Sequence, residues 1–298
     1  MAAWVAVDWG TTHLRAWAMD DRDAVLAEAR SDDGMAALRP DQFEPALLAL
    51  IEPWLGPGTT PVIACGMVGS RQGWAEAPYR AVPCQARSDR LVHAPVRDAR
   101  LDVRLIPGVK QDSPADVIRG EETQIAGYLS QAPDFDGVLC LPGTHSKWVH
   151  VSAGEIVSFR TFMTGELFDL LGHQSVLRHS IAPEGWDDGA FAEAVAEAMA
   201  KPEALAARFF ALRAEALLRG QSPEAARARL SGLLIGAEMA AAKPYWLGQQ
   251  VAMVGAPALM AIYTAALAAQ GVTASQASGP EMTRAGLIAA HTNLSAVP

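Results

Sequence analysis

The chain has 298 residues, half of them hydrophobic, 19% charged, with a formal net charge of −9. That is enough apolar material for two lobes rather than one small domain, and no block of like charge suggests disorder. An acidic chain without a basic stripe excludes a general nucleic-acid binder, while a local site can still attract an anion. In chain order, Ala2–Trp9, Leu14–Met19 and Ala24–Ala29 read as three strands of an antiparallel meander. Phe43–Trp54 has helical spacing, Pro61–Cys65 and Leu101–Ile106 read as buried strands, and Pro114–Tyr128 reads as helical in its second half. A similar rhythm restarts at Gly137: Val138–Leu141, Trp148–Val151 and Ile156–Thr161 are strand candidates, followed by mostly helix to about Ala242. Gln250–Val254 is a buried strand, Ala258–Ala269 a helix, Val272–Ala274 a short strand and Glu281–Ala290 a last helix. Two lobes that each open on a strand–Gly turn–strand hairpin form a weak internal duplication, which we divide as 1–130 and 131–298. Gly127 and the Gln131–Asp136 loop are hinge candidates.

Asp8 interrupts the first apolar run, so no signal peptide is expected, and no run approaches the ~18 apolar residues of a membrane span. Cys65, Cys84 and Cys140 form no CxxC pair and read as reduced thiols of a cytoplasmic protein. P-loop, dinucleotide-binding, zinc and nucleophile-elbow motifs are all missing from the sequence.

The first hairpin carries Asp8-Trp9-Gly10-Thr11-Thr12. Gly10 lets the backbone approach a ligand, and the Thr11 and Thr12 hydroxyls suit phosphate oxygens. Asp8 at the strand end could hold Mg²⁺ through water. The same residues equally suit an ordinary hairpin turn. The second hairpin offers Gly143, Thr144, His145 and Lys147 for phosphate, but Leu141 stands where Asp8 would be. Gly255 closes a late strand ahead of a helix N-terminus, where an adenine nucleotide could lie, and a routine βα turn reads the same way. Gly232 and Gly236 leave a bare helical patch that could pack another helix or a base. For an anionic substrate, Arg15, Ser70, Arg71, Gln72 and Arg119 are candidate donors, Arg71 first and Arg119 second. Glu121 and Glu122 are candidates for a general base or an Mg²⁺-water anchor, with helix-start carboxylates favoured by the macrodipole as the competing explanation.

Several segments taken together resemble the 2-dehydro-3-deoxygalactonokinase family. They are Asp8–Thr12 with Leu14–Trp17, Gly66–Trp74, Arg119–Gln124, Pro142–Val149, Phe159–Leu167 and Ser231–Glu238, in that order. The resemblance implies an α/β fold of two ribonuclease-H-like (actin-like ATPase) lobes with a cleft between them. It also implies ATP and Mg²⁺ as cofactors, and phosphorylation of the 6-hydroxyl of 2-dehydro-3-deoxy-D-galactonate in galactonate breakdown. It weakens after Gly255, where Ala256-Pro257 replaces a segment often rich in glycine. Two other readings stay open: a kinase for another substrate such as 2-dehydro-3-deoxygluconate, and a non-catalytic nucleotide-dependent sensor. A sugar acid and ATP are the expected partners, with no membrane, and homo-oligomerisation is left open.

Overall fold

A computed structural model describes residues 1–295. The first strand explains most of the first half of the chain. β1 (Trp4–Trp9) is buried along nearly its whole length and so must be central, with neighbours on both sides. It pairs antiparallel with β2 (Leu14–Met19), which pairs antiparallel with β3 (Val25–Ser31). β3 is largely exposed, and Glu28 and Arg30 blunt that edge. α1 (Phe43–Ile51) presents Phe43, Leu47 and Ile51 at helical spacing to the Val5, Val7 and Trp9 face of β1. β4 (Thr60–Gly66) lies parallel on the other side of β1.

Short strands follow: β5 (Arg80–Ala81), β6 (Cys84–Gln85) and β7 (Val92–His93). β8 (Leu101–Leu105) pairs parallel with β4 and antiparallel with β7. β9 (Val109–Asp112) and β10 (Ala115–Ile118) form a small separate sheet with β5 that the sequence reading does not anticipate. α2 (Glu121–Gln131) then starts at the position expected for a helix in the second half of 114–128.

The second half repeats the plan. β11 (Gly137–Leu141), β12 (Ser146–Ser152) and β13 (Glu155–Phe162) are consecutive neighbours in a sheet. The four residues between β11 and β12 can only join an antiparallel pair. A helical block follows: α3 (Thr164–His173), α4 (Asp188–Ala200), α5 (Leu205–Arg219), α6 (Pro223–Ala241) and the short α7 (Lys243–Trp246). β14 (Val251–Gly255) returns parallel to β11, α8 (Pro257–Ala268) leads on, and β15 (Ala274–Ser278) flanks β14. The sheet orders β3-β2-β1-β4-β8 and β13-β12-β11-β14-β15 are the same pattern, so both are ribonuclease-H-like. Polar β15, Ala-Ser-Gln-Ala-Ser, begins where the strand expected at Val272–Ala274 ends.

The chain forms two compact units. One holds Met1–Asp136, Val151–Ser158 and the chain from Ala277; the other holds Gly137–His150 and Phe159–Gln276. Residues 131–136, 151–158 and the last helix, expected in a second lobe, thus group with the first unit. Two packing facts account for this. Glu155 and Ile156 pair with Gln85 and Cys84. α9 (Gly279–Ser295) returns to lie on α2, so closely that a Cβ on Gly127 would overlap the Met282 carbonyl and one on Gly286 the Thr123 carbonyl. Gly127 is therefore a helix–helix contact point inside α2 and not a hinge. Leu287 and Ala290 of α9 cover Trp4, Ala6, Trp17, Ile63 and Cys65, the sheet face opposite α1.

In the second unit, Val138, Cys140 and Trp148 pack under α4, α6 and α8. Gly232 and Gly236 press against the backbone of α4 at Phe191 and Val195, which assigns the bare patch to helix packing.

Candidate active site

The pleat of β1 decides where Asp8 points. Side chains alternate, so Asp8 shares a face with Trp4 and Ala6, the face that Cys65 of β4 also occupies. Register puts Arg15 and Cys65 directly across from it on the two neighbouring strands. The Cys65 thiol donates to Asp8 Oδ1 over 3.9 Å. Burial pushes the Asp8 carboxyl above its ordinary range, the Arg15 guanidinium and the Cys65 contact pull it back, and the charge of Glu121 raises it further. Burial, with Asp8 and Glu122 nearby, holds the Cys65 thiol firmly protonated.

Two glycines make this crowding possible. Gly66 ends β4 at φ +92°, where a Cβ would overlap the Trp9 carbonyl, and Gly120 precedes α2 at φ +102° beside Gly66. Both backbone angles strain any L side chain. They bring the start of α2 to the ends of β1 and β4, which is how Glu121 comes to act on Asp8.

The two glutamates separate there. Glu122 is 0% exposed and accepts from the Gly120 amide at 2.7 Å and the Thr123 hydroxyl at 3.1 Å. Burial, then the charge of Glu121, raises its pKa to about 7. Glu121 accepts from the Arg119 amide at 3.0 Å and stays partly exposed. Glu122 is thus buried against the helix start, while Glu121 stays partly exposed.

Gly10 accepts from the Met35 amide and Thr11 from the Ala36 amide, leaving the Thr11 and Thr12 side chains exposed. Arg71 and Gln72 are exposed in the loop after β4, next to Ser70, which is 4% exposed. The Arg119 guanidinium donates to the Ala77 carbonyl at 2.8 Å and stacks 4.3 Å from the Tyr79 ring centroid. Ser70 Oγ, Arg119 Nε and Arg119 Nη1 have no hydrogen-bond partner among the described residues, so buried donors gather beside Gly69.

In the second unit Thr144 and His145 are exposed on the hairpin tip. Lys147 is 7% exposed, and its ammonium donates to the His145 carbonyl at 2.7 Å, so it braces the hairpin. The His145 ring meets Glu166 Oε2 at 2.5 Å, and the Glu166 amide donates to the Thr144 carbonyl. Gly255 sits against the Pro142 carbonyl. Beside the hairpin opens an apolar cavity of about 190 Å³ whose wall includes Gly143, Thr164, Phe168, Arg227, Ile235 and Tyr263. Arg227 lies 5.1 Å over the Phe168 ring. Phe168, Arg227 and Tyr263 were missed in sequence because their meeting is long-range.

A family model described as 2-keto-3-deoxy-galactonokinase matches residues 8–290. The chain belongs to this family. It is 38% identical over 293 residues to the probable 2-dehydro-3-deoxygalactonokinase of Rhizobium meliloti strain 1021, covering 96% of each chain. It is 35% identical over 289 residues to the 2-dehydro-3-deoxygalactonokinase of Escherichia coli K12, again over 96% of each. The crystal structure of a candidate 2-dehydro-3-deoxygalactonokinase protein from Sinorhizobium meliloti superposes with a TM-score of 0.92 at 37% identity, covering 99% of this chain and 100% of that one. Membership makes the chain a sugar-acid kinase, and the family match includes Asp8, Glu121 and the residues of the cavity wall. Among the described residues no helix is long and apolar enough to cross a membrane.

Proposed function

We propose that this chain transfers the terminal phosphoryl group of ATP to the 6-hydroxyl of 2-dehydro-3-deoxy-D-galactonate, in the cytoplasm, as a step of galactonate breakdown. The observation that carries this reading is the family match from residue 8 to residue 290. The local geometry supports it.

Asp8 and Glu121 fit a hydrated Mg²⁺, which needs only one or two carboxylates because it keeps several waters and takes phosphate oxygens. A carboxyl whose proton affinity is raised by burial and by a second carboxylate is a site that a cation relieves. No group of three or more His, Cys, Asp or Glu side chains able to hold a metal occurs among the described residues, so a cage made only of protein ligands does not fit. When bound, Mg²⁺ would supply charge neutralisation at the phosphates. Arg15, across from Asp8, favours its ionised form. Glu121 serves as base or water anchor for the attacking hydroxyl, whereas Glu122 is sealed away. Because phosphoryl transfer depends mostly on positioning, the base contributes modestly.

Arg71 and Gln72 meet the substrate carboxylate, backed by the spare donors of Ser70 and Arg119. Thr11, Thr12, Gly143, Thr144 and His145 offer hydroxyl, amide and ring donors to phosphate. The apolar cavity in the second unit takes the adenine base.

ADP release in the presence of Mg-ATP is measured with 2-dehydro-3-deoxygalactonate, its gluconate epimer and galactose. Strong stimulation by the first alone is expected. Stimulation by another compound changes the substrate and keeps the kinase. Folded, ATP-binding protein that none of the three stimulates would overturn the kinase reading for this panel.

A further inference from the structure

Glu238 lies on α6 among Leu233, Leu234, Ile235 and Met239 and is 3% exposed. Burial raises its carboxyl above the ordinary carboxylate range, and hydrogen bonds from Thr164, Trp148, Tyr263 and Ser146 pull it back only in part. Trp148 Nε1 donates to Oε1 at 2.8 Å. The Thr164 hydroxyl and the Tyr263 hydroxyl, the latter at 2.8 Å, both donate to Oε2. The Tyr263 oxygen is in turn 2.8 Å from Ser146 Oγ. One carboxylate therefore ties together β12, the first residue of α3, α6 and α8.

The order of donation follows from the chemistry. An ionised carboxylate only accepts. In that form Thr164 and Tyr263 spend their protons on Glu238, and the Ser146 hydroxyl, in reach of both the Tyr263 oxygen and the carboxylate, joins the same network. When ionised, Glu238 orients the hydroxyls of Thr164 and Tyr263 toward itself. Thr164 and Tyr263 are also walls of the 190 Å³ cavity, together with Ile235 of α6 and Gly143 of the β11–β12 hairpin. Well-packed apolar side chains would hold these elements together at least as firmly as a buried charge does. A buried charge with three donors adds fixed orientation at the cavity wall.

We infer that Glu238 is a positioning residue for the nucleotide, acting through Thr164 and Tyr263 on the cavity that receives the base. The inference rests on the proposed reading of that cavity as the adenine site. It concerns the nucleotide and leaves the sugar acid aside, so it requires a split between the two Michaelis constants.

The test is Glu238→Gln in the full chain. The amide keeps the size of the side chain but places an N–H₂ donor where three donors already converge, so one bond must break or reverse. The expected result is a rise of about tenfold in KM for ATP, the loss of roughly one charge-assisted hydrogen bond. KM for the sugar acid and the melting temperature stay close to wild type. Tyr263→Phe, which keeps the carboxylate and removes the relay, gives a smaller shift in the same direction and serves if Glu238→Gln does not fold. An unchanged KM for ATP, or equal changes in both KM values with a lowered melting temperature, would overturn the inference. MgADP titration followed by the fluorescence of Trp186, another residue of the cavity wall, is run in parallel, with Trp186→Phe as the control. Wild-type protein that does not bind MgADP at this cavity fells the adenine reading and the inference with it. Wild-type binding with an unaffected Glu238→Gln variant fells the inference alone.

Discussion

The β1–β2 and β11–β12 hairpins occupy the same place in the same sheet order, yet they carry opposite chemistry. Two residues before the turn glycine, the first has Asp8 and the second has Leu141, which is 3% exposed. Asp8 keeps an ionisable group among Arg15, Cys65 and Glu121. The second hairpin has its polar groups past the turn, where Lys147 and the His145–Glu166 pair tie the loop to itself and to α3. A duplicated scaffold has thus been divided, with a strand end that holds charge in one copy and a braced, apolar strand end in the other.

The sharpest way to break this contrast is Asp8→Asn. It should lower kcat about 10²–10³-fold, as removal of a main electrostatic group does, while the melting temperature holds or rises because a buried charge is gone. ADP release and thermal melting check both halves. A variant retaining a tenth of wild-type kcat would mean that Asp8 is merely structural.

Leu141→Ala, the matching position, should do the reverse. A buried Leu→Ala change costs about 2–5 kcal/mol of stability, and kcat per folded molecule should stay within a few-fold of wild type in urea-titrated samples.

Glu122→Gln sharpens the contrast inside the first unit. Glu122 has its pKa raised from 4.5 to about 7 in the folded chain. The folded state therefore binds this proton more tightly, so the stability Glu122 contributes is full below pH ~4.5 and is lost as pH rises through ~7. The variant should match wild type near pH 4.5 and exceed it by up to about 3 kcal/mol above pH 7, because a tenfold change in proton affinity is worth about 1.4 kcal/mol. Urea unfolding at the two ends of that range reads the difference. Equal slopes with pH would show that Glu122 does not titrate as described.

Arg71→Ala should have the smallest effect, a rise of about 10- to 100-fold in KM for the sugar acid, one charged hydrogen bond's worth. KM for ATP should not move. An unchanged KM for the acid would return Arg71 to the role of a surface arginine and leave the carboxylate to Ser70 and Arg119.

How much of this was legible depended on the distance over which each contact is made. The β1–β2 hairpin could be read because a continuous apolar run, a Gly turn and a second run fix its register locally, and with it the pairing of Asp8 and Arg15. The repeat at Gly137 was visible for the same reason. The β5-β9-β10 sheet was not, since its strands are two to four residues long and carry no sustained alternation. β15 was displaced because an exposed edge strand made of Ala, Ser and Gln has no apolar signal to mark its ends. Glu121 and Glu122 were found together but could not be separated, because side-chain rotation at a helix start decides which one is buried. Glu238 stood only at the end of the Ser231–Glu238 segment and received no role, because its partners lie 90, 74 and 25 residues away along the chain. A carboxylate within an apolar helix was nonetheless a signal, since Glu is almost never fully buried without partners.

The return of α9 to the first unit sets an order of events during synthesis. Between the end of α2 and the start of α9 the ribosome must add about 150 residues, which at roughly 5–20 residues per second takes on the order of 7–30 s. Through that interval Trp4, Ala6, Trp17 and Ile63 lack the Leu287 and Ala290 side chains that finally cover them. The half of the protein made first is therefore finished last, and until then it presents a bare aromatic face to whatever holds nascent chains.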